Sequence, residues 1–173
     1  TLVDAQRAHA ALCDVFSDFP FLKPCDRSAI LASLLTLVAR HAIDGPVPLV
    51  VVRSPTPGTG KSLLVDVVAS IATGRGASRY VQAHDPEAER KLIFAIANDG
   101  EQIALFDNIA KPLGSPALDA TLTSMTVSDR GMATNNTKRA TFTTCLFATG
   151  NNIQLRGDLC RRVIVVDLDA ETE

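Results

Sequence analysis

The sequence predicts an α/β domain: a central, mainly parallel sheet of five strands with helices on both faces, preceded by a helical segment. Three observations predict it. Short apolar runs of strand length recur along the chain, separated by stretches whose apolar residues fall at helical spacing. Glycine, proline and N-capping residues punctuate the joints between them. The segments richest in polar chemistry, 58–62, 107–108 and 150–152, each follow the end of an apolar run. Open parallel sheets bind ligands at the carboxyl ends of their strands, so these three segments converge on one edge.

Each element has its own local reason. Residues 4–16 and 26–41 carry apolar positions at helical spacing, with Ile30, Leu31, Leu34, Leu35 and Val38 on one face of the second and Asp26 as its N-cap. Between them Asp18-Phe19-Pro20-Phe21 is a turn whose two aromatics pin the helices together. Residues 1–44 are thus a helical segment packed on a core spanning 45–173. Gly45-Pro46-Val47-Pro48 breaks the helical pattern, and Leu49-Val50-Val51-Val52 reads as a strand buried on both faces. A glycine-rich loop follows, then a helix over 63–72 stopped by Gly74. Residues 79–83 read as a second strand. Asp85-Pro86 opens a helix as N-cap and first helical residue, and Asn98-Asp99-Gly100 closes it. Residues 103–106 form a third strand ending at Asp107, Ser115-Pro116 starts a short helix, and 141–148 and 163–166 supply the fourth and fifth strands. Strands alternating with helices imply right-handed crossovers.

Composition narrows the function classes. The 173 residues are 46% hydrophobic, enough for one domain with a real core. No apolar run is long enough to span a bilayer. A formal net charge of −2 argues against a module that coats DNA nonspecifically. Cys13, Cys25, Cys145 and Cys160 are scattered, with no C-x-x-C pair, and read as reduced thiols in a cytoplasmic protein. Thr1 stands where Met would begin a chain, and no charged-then-apolar leader follows, so the sequence reads as a piece of a longer protein.

The chemistry concentrates at Pro55-Thr56-Pro57-Gly58-Thr59-Gly60-Lys61-Ser62, which matches the phosphate-loop pattern G-x-x-x-x-G-K-[ST] except that Pro55 replaces the first glycine. Gly58 and Gly60 let backbone N–H groups turn onto phosphates, and the helix continuing through Leu63 aims its dipole at the same anion. Lys61 reaches the outer phosphates and Ser62 offers a hydroxyl to Mg²⁺, which points to ATP with Mg²⁺ as the ligand. Pro57 and Thr59 complete the loop. Leu105-Phe106-Asp107 supplies the carboxylate that a metal-bound triphosphate needs on a neighbouring strand. Asn108 stands where many such enzymes carry a glutamate: it orients a water but accepts no proton, and no base is assignable. Asn151, in Thr149-Gly150-Asn151-Asn152, is a candidate sensor of the γ-phosphate. Arg161 and Arg162 read either as a finger toward a neighbouring subunit's nucleotide or as partners for Asp158.

In order, Phe19-Pro20-Phe21, Pro57 to Ser62, Asp107-Asn108, Ala148 to Asn152 and Gly157 to Arg162 resemble the ATPase domain of phage- and plasmid-type primase-helicases, the superfamily 3-like branch of the AAA+ ATPases. The resemblance implies a hexameric ring that hydrolyses ATP between subunits and moves on single-stranded DNA. It implies Asp107 with Asn108 as the Walker B pair, Asn151 as the sensor and Arg161 or Arg162 as the finger. It places DNA at a hairpin over 128–139, where Lys138 and Arg139 are the phosphate contacts. That segment has no aromatic to stack a base. Two other classes fit the same motifs: a nucleotide-gated assembly switch with weak hydrolysis, and an ATPase acting on a protein partner.

Overall fold

The computed structural model describes residues 1–130 and 137–170. Its elements run α1 (Leu2–Val15), α2 (Pro24–Val38), β1 (Leu49–Ser54), α3 (Lys61–Thr73), β2 (Ser78–Tyr80), α4 (Pro86–Asp99), β3 (Ile103–Phe106), α5 (Pro116–Thr121), β4 (Thr126–Arg130), β5 (Thr137–Thr141), β6 (Cys145–Asn151) and β7 (Val163–Asp167). Five strands form a parallel sheet in the order β2-β3-β6-β1-β7, and β4 and β5 form a separate antiparallel ribbon.

β1 lies inside the sheet, between β6 and β7, which is why its sequence is apolar on both faces. Its side chains alternate between two cores. Val50 and Val52 join Phe16, Ile30, Leu34, Leu64, Val68, Phe147 and Val166 on the α2/α3 side. Leu49 and Val51 join Ile93, Ile96, Phe106, Leu118, Leu146 and Leu159 on the other. Each fully buried aliphatic side chain contributes roughly 1.5–3 kcal/mol. This double burial fixes the register: a slip of one residue would exchange the two faces of the strand.

The helix ends follow the local chemistry. Asp85 accepts the Glu87 and Ala88 N–H groups, with Pro86 in the first turn, and Ser115 caps α5 through the Leu118 N–H. Gly74 and Gly100 end α3 and α4 in left-handed conformation. α2 differs from the sequence expectation. It starts at Pro24, and Asp26 sits inside the first turn, where its carboxylate accepts the Lys23 N–H at 2.9 Å. Its buried face is Ile30, Ser33, Leu34 and Leu37, whereas Leu35 and Val38 are 60% and 65% exposed. Burial of Ser33 is tolerated because its hydroxyl donates to the Ala29 carbonyl at 2.7 Å.

The strand at 141–148 also divides differently. Thr141 closes the β4/β5 ribbon opposite Thr126, Phe142 is buried with its N–H on the Met125 carbonyl, and the sheet strand begins at Cys145 opposite Ile103. β2 is short and lies at the sheet edge. The turn after α1 runs to the end of β7: Leu22 N–H bonds the Asp167 carbonyl, Asp169 N–H bonds the Pro20 carbonyl, and Phe21 bridges Leu168. Phe19 packs between Phe16 and Phe21, its ring tilted against each with centroids 6.3 Å apart. Among the described residues no helix is long and apolar enough to cross a membrane.

Candidate functional site

The loop from β1 to α3 runs over the carboxyl end of the sheet. Gly58 and Gly60 both have φ of +81°, a region closed to most side chains; at position 60 this is why the pattern keeps glycine, and at 58 glycine serves the same turn. Position 55 is not among the positive-φ residues, so Pro55 fits with its own fixed φ. The turn into the loop is held instead by the buried Ser54, whose hydroxyl accepts the Thr56 N–H at 3.2 Å. Gly60 is the N-cap of α3, and no side chain caps the helix N-terminus, which leaves its first N–H groups open to an anion. The Lys61 ammonium reaches back into the loop, 3.1 Å from the Thr56 carbonyl and 3.0 Å from the Thr59 hydroxyl, and burial pushes its pKa below the usual value. Leu63, two positions further along α3, is exposed.

Asp107 lies just past β3, with its N–H on the Tyr80 carbonyl of β2. One carboxylate oxygen, Oδ1, accepts the Ser62 hydroxyl at 2.6 Å and the Thr149 hydroxyl at 2.6 Å. The other, Oδ2, accepts Arg79 Nε at 3.1 Å. Burial alone would raise the Asp107 pKa. The hydroxyls of Ser62 and Thr149 and the Arg79 guanidinium outweigh it and hold the carboxyl below the usual carboxylate range. A serine hydroxyl and a carboxylate side by side are hard oxygen donors of the kind Mg²⁺ takes when phosphates and water complete its shell. Among the described residues no group of three or more His, Cys, Asp or Glu forms a self-sufficient metal cage.

The adjoining loops are fixed by close backbone approach. Ile109 N–H bonds the Thr149 carbonyl at 2.7 Å, and a Cβ on Gly150 would lie 2.6 Å from the Ile109 carbonyl oxygen, so only glycine fits there. Asn108 has φ of +57° and Asn152 φ of +50°, left-handed positions in which asparagine is favoured over most residues.

The sequence-named residues distribute unevenly around this centre. Lys61, Ser62 and Asp107 come together. Asn151 ends β6 opposite Ser54 and is exposed; the β6 residue that touches Asp107 is Thr149. Arg161 and Arg162 both pair with Asp158, Arg162 at 3.0 Å. They lead into β7 at the end where Leu49 pairs with Val163, about 17 Å of strand from the phosphate loop. Lys138 and Arg139 are exposed on β5, whose Ala140 packs with Val127 against the core beneath α4. The hairpin tip, 131–136, lies outside the described residues.

Besides Thr149, two features escaped sequence reasoning. Arg79, inside a strand-like run, is placed beside Asp107 only by the parallel pairing of β2 with β3. A groove of about 610 Å³ opens beside the loop, lined by Phe16, Asp18, Phe19, Lys23 and Arg27 among others. Phe19 forms the side nearest Gly60, where a Cβ would sit 3.5 Å from its ring.

No family model and no curated protein matches the sequence. Solved structures do match its fold. The JCV helicase, bound to a thiazolopyridinyl-phenoxy-phenyl acetamide, is 15% identical with a TM-score of 0.54, over 87% of this chain and 42% of that one. The NrS-1 C-terminal region, in an apo form, is 12% identical with a TM-score of 0.53, over 91% of this chain and 36% of that one. The chain therefore spans less than half the length of either. At these identities the likeness speaks to architecture: the chain has an α/β fold with a five-stranded parallel sheet, consistent with a P-loop NTPase and shared with a helicase.

Proposed function

We propose that this chain is the ATP-hydrolysing motor domain of a DNA helicase or primase-helicase from a phage, plasmid or other mobile element, translocating on single-stranded DNA. The observation that carries the reading is the contact of Ser62, at the start of α3 where the glycine loop ends, with Asp107, just past β3. Loop N–H groups and Lys61 bind the phosphates, and Ser62 with Asp107 holds Mg²⁺, which would neutralise phosphate charge when bound. Thr149 orients the carboxylate. The groove at Phe19 has room for the rest of the nucleotide. Asn151 senses the γ-phosphate. Arg161 or Arg162 serves a neighbouring subunit's site in a hexameric ring, a role consistent with their distance from the loop of their own chain. Lys138 and Arg139 on the exposed ribbon contact DNA phosphates.

One observation favours a second reading. Asn108 occupies a left-handed position that glutamate would adopt only with strain, so a carboxylate base is disfavoured there by the backbone itself. A nucleotide-gated assembly switch with slow hydrolysis follows from that. Steady-state ATP hydrolysis across protein concentration, with and without single-stranded DNA, separates the two. Turnover that rises with DNA and steepens with concentration is expected of the motor. ATP binding without turnover, in a protein long enough to assemble, would select the switch.

A further inference from the structure

The Asp107 carboxylate faces a resident cation. Arg79 Nε donates to Asp107 Oδ2 at 3.1 Å, and Arg79 Nη2 donates to Asp66 Oδ2 at 2.6 Å. Asp66 lies on α3 one turn beyond Ser62, and its second oxygen accepts the Ala77 N–H at 3.2 Å. A guanidinium thus spans two carboxylates, one belonging to the phosphate-loop helix and one to the metal-binding strand end. The fork geometry of arginine suits this bridge, which a single ammonium would not reproduce.

We infer that Arg79 is a positioning residue that competes with the divalent cation for Asp107, with Asp66 as the carboxylate that retains it when metal binds. The inference rests on the P-loop reading above. Its physical basis is charge accounting. A carboxylate that already holds a cation on Oδ2 and two hydroxyls on Oδ1 gains less from a second cation than a free one does. Asp66 keeps the displaced guanidinium paired, so metal binding does not strand a charge. The Arg79 side chain is 49% exposed, so solvent screens the pair and the effect is moderate.

The readout is the metal–nucleotide coupling: the Kd for ATP in EDTA divided by the Kd in saturating Mg²⁺, measured by calorimetry. Arg79→Gln should raise this ratio by about three- to tenfold, with the Kd in EDTA little changed. Asp66→Asn should lower it, because Arg79 is then held by Asp107 alone. Arg75→Gln removes the same charge from a residue that pairs with Glu101 and should leave the ratio unchanged. An unchanged ratio in a folded Arg79→Gln protein, or a ratio raised equally by Arg75→Gln, overturns the inference. If Arg79→Gln does not fold, the direction of the Asp66→Asn change decides. Failure of the parent protein to bind ATP under either condition is a separate outcome, which refutes the P-loop reading itself and this inference with it.

Discussion

Replacing Thr149 by valine keeps the branched shape of a side chain that is 1% exposed and removes only its hydroxyl. That hydroxyl donates to Asp107 Oδ1 at 2.6 Å and accepts the Asn108 N–H at 3.3 Å. A hydrogen bond to a charged group contributes about 1.5–3 kcal/mol, and a half-buried N–H left without its acceptor costs about 1 kcal/mol more. The expected loss is therefore about 2.5–4 kcal/mol. With a urea m-value of about 2 kcal/mol/M, the unfolding midpoint should fall by about 1–2 M with m unchanged. The sign with pH follows from the depressed Asp107 pKa. Its stabilising contribution is complete above the unfolded carboxyl value and is lost as pH falls through the folded one. The difference between parent and variant should thus be constant from neutral pH down to about 5 and shrink only below about 4. A midpoint shift under about 0.3 M at neutral pH would refute the assignment of Thr149 as the group that holds the carboxylate.

Lys61→Ala should weaken ATP binding by about 10- to 150-fold, the worth of one charge-assisted contact, as read by calorimetry; native affinity in that variant would sink the phosphate-loop assignment. Lys138→Ala with Arg139→Ala should reduce the salt dependence of single-stranded DNA binding by about 1.4 in the slope of log K against log salt, two contacts' worth, and an unchanged slope removes the ribbon from the interface. Arg161→Ala and Arg162→Ala should each be tested for turnover at saturating ATP. A loss of turnover with unchanged ATP affinity marks a finger, while parent-level turnover in both leaves only their tie to Asp158.

Much of the architecture was legible because local chemistry and tertiary demand coincide. The first four residues of β1 and all of β3 are apolar since both of their faces are covered, and strands 49–52 and 103–106 could be read directly from those runs. The caps at Asp85 and Ser115 and the stops at Gly74 and Gly100 are short-range interactions, complete within a few residues. α2 was harder: with apolar residues nearly all round, its sequence offers several faces, and the packing against α3 and β7 chose Leu37 over Leu35 and Val38. Thr141 is equally at home in either of two strands, and pairing with Thr126 decided it.

The site divides along the same line. The amino-acid sequence alone pointed to the glycine loop, because its shape depends on backbone geometry at Gly58 and Gly60 and its polar groups are two neighbours, Lys61 and Ser62, all close along the chain. It also identified Asp107, whose place at the end of an apolar run is a local feature. Only the tertiary structure decided what surrounds that carboxylate. Ser62, Arg79 and Thr149 come from α3, β2 and β6, and they meet Asp107 because β3 lies between β2 and β6 while α3 crosses the sheet from β1. Strand order is a long-range choice made by burying two cores at once, and no window of sequence around Arg79 or Thr149 contains it.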